Sequence, residues 1–412
     1  MRLLHVSDWH LGRMNGNTPR REDLEDVLEQ TVEAAREFSP DLVVHAGDLF
    51  DGPRPAVDDL QLACDTLRRL AEISPVVVLA GNHDSPQLLR FLGGILAPGR
   101  IHFIDVVKTP ADGGILDFET KSQQRIRLAP VPFISAHRMV RTFEDPSTWT
   151  ASYADRLRAI TTVLADGLTD GAQPDRDILV FAAHLHVAGA QVTNSERPYT
   201  VSDGYAAHAS TLPPVSYAAF GHIHRYQALP QASVTGRYAG SPIPLDFGEE
   251  HDEKVCVLVE ADPGRPATIV EHAYTIRRPL RRFEGTLEEL TGLCEGMGGA
   301  LCQVIVHTEE PARELALQVQ ELLPEAVLLD VTEVCAAQQQ TGLQLQDLPA
   351  ETEASVSELF AEYLAGRGVQ SSTVQGVLES FALLQDSAGA HELPELREQD
   401  ETAKGETKAA IS

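Results

Sequence analysis

The sequence predicts an α/β fold built on a mainly parallel sheet. Two observations carry that prediction. Apolar runs of strand length alternate with helical patterns in a βαβαβ rhythm through the N-terminal part of the chain. Five such runs also end on residues that ligate metals, at the strand ends where functional groups gather in open α/β sheets.

In chain order, Leu3–Val6 reads as the first buried strand. A helix follows over Glu22–Phe38, where Leu24, Val27, Leu28, Ala34, Ala35 and Phe38 recur at near-helical spacing. The run Leu42–Ala46 is the next strand, followed by a helix through Leu60, Leu67 and Leu70 and a strand over Val76–Ala80. The helix signal returns at Tyr153–Leu168, before strands at Ile178–Ala183 and Val215–Phe220. Beyond His224 the character changes. Short β-like runs, Arg237–Ala239 and Val255–Glu260, are separated by Gly and Pro, as in a meander. The first domain is therefore expected over 1–262. From Thr268 to Val334 the order is strand, helix, strand, helix, strand. The helices lie near Leu287–Glu295 and Ala312–Leu323 and the later strands at Cys302–His307 and Val327–Val331, which predicts a small α+β domain over 268–335. A polar linker at 336–352, carrying Gln338-Gln339-Gln340, leads to two amphipathic helices within 353–386. Val356, Leu359, Phe360, Tyr363 and Leu364 line one helix, which stops at Gly366. Val374, Val377, Leu378, Phe381 and Leu384 line the other, with Ser371 or Ser372 as its cap. From Ser387 to Ser412 the polar, charged composition predicts a disordered tail.

Composition narrows the function classes. The apolar fraction of 43% is ordinary for a globular protein. No run approaches the roughly 18 apolar residues of a membrane helix, and no basic-then-apolar leader opens the chain. The expectation is a soluble cytoplasmic protein. The 5 cysteines (Cys64, Cys256, Cys294, Cys302 and Cys335) form no CxxC and are odd in number, which argues against a disulfide framework or a zinc ribbon. The net charge of −28 argues against nucleic-acid binding by charge alone. A DNA-facing role would then need local basic patches, bound divalent metal or a partner.

The chemistry-bearing segments are Asp8-Trp9-His10, Gly47-Asp48-Leu49-Phe50-Asp51, Gly81-Asn82-His83-Asp84, Ala183-His184-Leu185-His186 and Gly221-His222-Ile223-His224. Carboxylate, imidazole and amide oxygen together suit divalent Mn, Fe or Mg better than a thiolate-rich zinc site. Alternate residues of an extended segment share a face, so Asp8 and His10 point together, as do His222 and His224. A carboxylate such as Asp48 can bridge two cations, and a cation pair roughly 3.5–4 Å apart can activate water at a phosphorus centre.

The series DxH, GDxxD, GNHD, H and GHxH resembles the calcineurin-like metallophosphoesterases. The finer matches, Asp8-Trp9-His10-Leu11-Gly12, Gly47–Asp51 and Gly240-Ser241-Pro242-Ile243-Pro244, resemble the branch of that family that serves as a nuclease subunit beside an SMC-like coiled-coil ATPase. The resemblance implies a four-layer α/β/β/α sandwich, a DNA-facing cap domain and a C-terminal helix pair docked on the ATPase. It implies two divalent ions, Mn(II) by family habit. Asp8, His10, Asp48 and His224 would hold one ion; Asp48, Asn82, His184 and His222 would hold the other. His83 would act on the leaving group, with Asp51 as its orienting partner. The implied activity is 3′-to-5′ exonuclease on duplex ends and endonuclease at hairpins. The implied assembly is a homodimer within a heterotetramer, nucleoid-associated and not membrane-bound. ATP hydrolysis would belong to the partner, since the chain has no GxxxxGK[ST] P-loop.

Several residues admit two readings. Ala183 stands where the family usually has glycine, and His186 would share a face with His184. The continuation Val187-Ala188-Gly189 favours His184 as the ligand. Asp84 either caps a turn or supports a ligand. His5 and His45 read as core histidines. Arg277-Arg278 and Arg281-Arg282 are either a phosphate-contacting strip or a solvated turn, and Arg20-Arg21 leans towards solvation. The helix pair either docks a partner or packs on its own chain. Two other functions compete: a metallophosphatase or phosphodiesterase for small molecules or phosphoproteins, and a non-catalytic binding subunit of a DNA-repair complex.

Overall fold

The computed structural model describes residues 1–96, 98, 100–134, 153–196, 206–207, 212–293 and 296–337. The C-terminal helix pair, the tail and most of the linker, together with Cys294 and His208, lie outside the described residues. The strands in chain order are β1 (Arg2–Val6), β2 (Met14–Asn15), β3 (Thr18–Pro19), β4 (Leu42–His45), β5 (Val76–Leu79), β6 (Ile101–Ile104), β7 (Leu116–Glu119), β8 (Arg125–Val131) and β9 (Asp177–His184). They continue with β10 (Tyr217–Gly221), β11 (Gln227–Ala228), β12 (Gly236–Tyr238), β13 (Val255–Glu260), β14 (Thr268–Ala273), β15 (Leu280–Gly285), β16 (Leu301–Thr308) and β17 (Val327–Cys335). The helices are α1 (Arg21–Phe38), α2 (Val57–Ile73), α3 (Pro86–Leu96), α4 (Tyr153–Thr169), α5 (Leu287–Leu293) and α6 (Leu315–Leu322).

Strand alternation explains how these elements stack. One sheet has the order β14-β13-β1-β4-β5-β6, parallel from β1 to β6, with β13 and β14 antiparallel. The second has the order β11-β12-β10-β9-β8-β7, with β8, β9, β10 and β12 parallel. Leu3, Leu42, Val44 and Val77 of the first sheet meet Ile178, Val180 and Tyr217 of the second in an apolar layer between the sheets. Their neighbours Leu4, Val6, Val43, Val76 and Val78 point the other way, onto Leu24, Val27 and Leu28 of α1 and Leu67 and Leu70 of α2. On the far side, Phe181, Ala183, Ala218 and Phe220 pack with Leu157, Leu164 and Leu168 of α4. The layers are α/β/β/α, as expected. Burial on both faces is why the strands read as unbroken apolar runs.

Two details differ from expectation. The run at Thr268 does not start a second domain: β14 pairs with β13 in the first sheet, which therefore extends beyond residue 262. The region after His224 is not a simple meander either, because β12 lies parallel to β10. The small sheet β15-β16-β17 begins at Leu280, is parallel throughout, and has its own core of Phe283, Leu290, Val304, Val306, Val319 and Leu323.

Its junction with the larger body is ionic. Arg20 is fully buried rather than solvated. It donates to Asp23 (2.7 Å), Asn15 (2.7 Å), the Pro244 carbonyl (2.9 Å) and the Arg278 carbonyl (3.2 Å). Arg278 also pairs with Asp23 (2.8 Å), and Arg277 lies 3.5 Å from Glu22 and 3.6 Å from Asp26. Arg282 donates to Gln303 and lies over Phe247, while Arg281 donates to the Leu280 and Glu250 carbonyls. These arginines are engaged within the chain. Among the described residues, no helix is long and apolar enough to cross a membrane.

Candidate metal centre

Each chemistry-bearing segment ends or follows a strand, and the backbone turns sharply at several of them. Asp8, His10, Asp48 and His222 all have positive φ, at 52°, 48°, 55° and 99°. Asp and His tolerate the left-handed region better than most residues, yet each such turn costs about 1–3 kcal/mol. The preceding glycines leave room for the convergence. A Cβ on Gly47, itself at φ +105°, would lie 2.2 Å from His184 Nδ1. A Cβ on Gly81 would lie 2.0 Å from Asp48 Oδ1.

Among the described residues three groups of side chains could hold a metal: His10, Asp51 and His83 make up one, and two others share Asp48. Asp8, His10, Asp48 and His224 form one of these two clusters; Asp48, His184 and His222 form the other, with ligand atoms within 4.8 Å of one another in each. Asn82 belongs with the second: its Oδ1 lies 3.0 Å from His184 Nε2 and 2.7 Å from His222 Nδ1. Asp48 is common to both. The seven residues named from sequence therefore meet at one place. His186 is in neither cluster, and its backbone carbonyl accepts a bond from Ala207.

The hydrogen bonds behind the imidazoles set their tautomers. His10 Nδ1 lies 3.1 Å from Asp51 Oδ1, so it carries the proton. His224 Nδ1 meets Ser195 Oγ, which donates onward to Glu249. The two Nε2 atoms then present lone pairs to each other at 3.1 Å. His184 Nδ1 donates to the Ala46 carbonyl at 2.8 Å, which turns its Nε2 lone pair towards Asn82 Oδ1 and, at 3.3 Å, Asp48 Oδ2. Acceptors facing acceptors repel unless positive charge lies between them. Burial alone would lower His184, but the Asp48 carboxylate outweighs it and raises the imidazole to about 9. Burial likewise opposes protonation of His224, and Glu249 and Asp8 overcome it. These spots favour positive charge, and a hard divalent cation matches the O/N donor set. The residues present fit divalent metals.

The neighbours of the clusters are also placed. His83 Nδ1 donates to the Asp51 backbone carbonyl at 2.8 Å, and its backbone N–H to Asp48 Oδ1 at 2.8 Å. Asp51 does adjoin His83, but through its carbonyl; its carboxylate serves His10 and Arg13. Asp84 caps the loops, accepting from the N–H groups of Leu49 (3.2 Å), Phe50 (3.0 Å) and Gly81 (2.9 Å). Burial and the Asp48 charge push its carboxyl up to about 7 against those bonds. His5 and His45 are buried and belong to neither cluster, and burial lowers each to about 3. Phe133, unnoticed in the sequence, forms an apolar wall 6.0 Å from His222 and 6.3 Å from His184, ring to ring. Also unnoticed was the buried polar group behind His224, formed by Ser195, Glu196, Ser241, Glu249 and Lys254. Only the Gly240–Pro244 match hinted at that region.

Comparison with known proteins agrees with this geometry. Residues 1–226 match the calcineurin-like phosphoesterase family, and residues 276–367 match a family described as type 5 capsule protein repressor C-terminal domain. The chain belongs to the calcineurin-like phosphoesterases and is a phosphodiester hydrolase of that class. Within the class its place is among the SbcD nuclease subunits. It is 30% identical over 303 residues to the SbcD subunit of the SbcCD nuclease of Bacillus subtilis (strain 168), covering 72% of this chain and 76% of that one. It is 28% identical over 408 residues to the Escherichia coli (strain K12) protein of the same name, covering 95% and 100%. A solved dimetal phosphatase from Danio rerio matches at 13% identity and a TM-score of 0.35, over 66% of this chain and 98% of that one; so low a score carries no argument.

Proposed function

We propose that this chain cleaves DNA as a 3′-to-5′ double-strand exonuclease and hairpin endonuclease, partnered by an SbcC-like coiled-coil ATPase in DNA repair and recombination. The observation that carries the reading is the pair of acceptor clusters sharing Asp48. In this reading Asp8, His10, Asp48 and His224 hold one Mn(II), and Asp48, Asn82, His184 and His222 hold the other. When bound, the ions supply Lewis acidity towards phosphoryl oxygens and a nucleophilic water at neutral pH. The Nδ1 bond to the Asp51 carbonyl makes Nε2 the proton-exchanging atom of His83, suited to the departing 3′-oxygen. Phe133 excludes water from one side of the site.

On a chain of net charge −28, approach of a polyanion needs the bound cations and the partner's surface. The homodimer expected of this class finds support on α3, where Phe91 and Ile95, spaced i, i+4, are 64% and 54% exposed. A cytoplasmic, nucleoid-associated location follows from the DNA substrate. The test is cleavage of a blunt duplex and of a hairpin in Mn(II) and in Mg(II), with and without the ATPase. Mn-dependent cutting of both substrates, stimulated by the ATPase, is expected. Hydrolysis of a small aryl phosphodiester with neither DNA cut would sink the reading.

A further inference from the structure

We propose that Ser195 and the buried Glu249–Lys254 pair are positioning residues for His224, clamping it as a metal ligand; this rests on the metal-centre reading above. His224 is held at three points by groups outside the ligand set. Its backbone N–H donates to Glu196 Oε1 at 3.0 Å. Its carbonyl accepts from Lys254 Nζ at 3.1 Å. Its ring Nδ1 meets Ser195 Oγ, whose own proton goes to Glu249 Oε1.

The charges behind the ring are fully committed. Glu249 and Lys254 are buried, and Lys254 Nζ lies 2.6 Å from Glu249 Oε2. The remaining Lys254 protons reach Ser241 Oγ (2.9 Å) and the His224 carbonyl, so all three donors of the ammonium are used. Glu249 Oε1 also accepts from Thr193 Oγ1 at 3.1 Å, and Oε2 accepts from the Leu245 N–H at 3.2 Å. A buried ion pair of this kind adds little net stability over apolar packing. What it does here is direct: the carboxylate, acting through Ser195, keeps the proton on Nδ1 and aims the Nε2 lone pair at the cluster. Outer partners of ligating histidines commonly contribute about 10–100-fold in metal affinity.

Removing a charge of the pair risks misfolding, so the decisive variant is Ser195→Ala, with Ser195→Thr as the conservative rescue. The full-length chain, stripped by chelator, is titrated with Mn(II) by calorimetry, and its metal-free thermal unfolding is recorded. The expected result for Ser195→Ala is a roughly tenfold weakening of one Mn(II) binding step. The other step and the metal-free unfolding midpoint stay at wild-type values, and Ser195→Thr restores the affinity. A well-folded Ser195→Ala chain with both steps at wild-type affinity overturns the inference alone. A Ser195→Ala chain whose metal-free unfolding midpoint drops while both steps hold overturns it too, in favour of a purely structural role. A wild-type chain that binds no Mn(II) overturns the metal-centre reading, and the inference falls with it.

Discussion

The two halves of the metal centre are both built from strand ends, yet they are held from behind by different chemistry. In the half formed by Asp8, His10, Asp48 and His224, carboxylates stand behind the imidazoles: Asp51 at His10, and Glu249 through Ser195 at His224. In the half formed by Asp48, Asn82, His184 and His222, the partner of His184 Nδ1 is a peptide carbonyl, that of Ala46. A carboxylate adds negative charge and makes the imidazole a stronger donor. A peptide carbonyl fixes direction and adds no charge. The first half is therefore open to tuning by single side-chain changes. In the second, the direction of His184 is set by the backbone.

The largest expected effect comes from the residue the halves share. Asp48→Asn should cost nuclease activity at least about a thousandfold, the scale of losing several kcal/mol of charge stabilisation. It should also weaken both metal-binding steps in a titration. A variant that still binds two ions at full affinity would break the idea of a shared carboxylate. Next is Gly47→Ala, whose new methyl carbon would lie 2.2 Å from His184 Nδ1. It should abolish one binding step and spare the other, while lowering stability by about 1–3 kcal/mol through the strained φ. Mass spectrometry under native conditions would read the stoichiometry, and two retained ions would count against the backbone-set half. Asp51→Asn should weaken one step about 10–100-fold without abolishing it; equal weakening of both would erase the contrast between halves.

The smallest effect probes the layer between the sheets. His5 is buried beside Tyr217, 2.9 Å from its hydroxyl, and burial depresses its imidazole from 6.5 to about 3. Its folded value is below its unfolded one, so its contribution to stability is full above pH 6.5. Between 6.5 and about 3 the unfolded chain binds the extra proton, and stability falls as pH falls. The slope from this one group is at most about 1.4 kcal/mol per pH unit. His5→Phe should flatten the decline in urea unfolding between pH 6.5 and 4.5, with Mn(II) affinity at pH 7.5 unchanged. A decline as steep as wild type would assign the acid sensitivity elsewhere.

Much of the site was legible because its chemistry is local to strand ends. Asp8 and His10, or His222 and His224, are two residues apart, and each apolar run announces its own end. His184, the last residue of β9, lies in a cluster, and His186 does not. What escaped reading was non-local. Ser195, Glu249 and Lys254 reach His224 across 29, 25 and 30 residues of sequence, and no period or spacing signals such pairs. Asp51 meets His83 through its carbonyl and His10 through its carboxylate, a division of labour that one position in sequence does not reveal. Arg20 looked solvated because nothing near it in sequence shows that Pro244 and Arg278 arrive to accept its protons.

By itself the sequence determined the layered α/β architecture and the set of polar residues that gather at its strand ends. Apolar runs and the residues that end them are properties of short segments, and buried strands leave few other ways to stack. The tertiary structure decided the rest: which nitrogen of each imidazole faces the clusters, and which charges stand behind them. Those facts depend on distances between segments far apart in the chain. Hydrogen-bond direction is set only when both partners are in place.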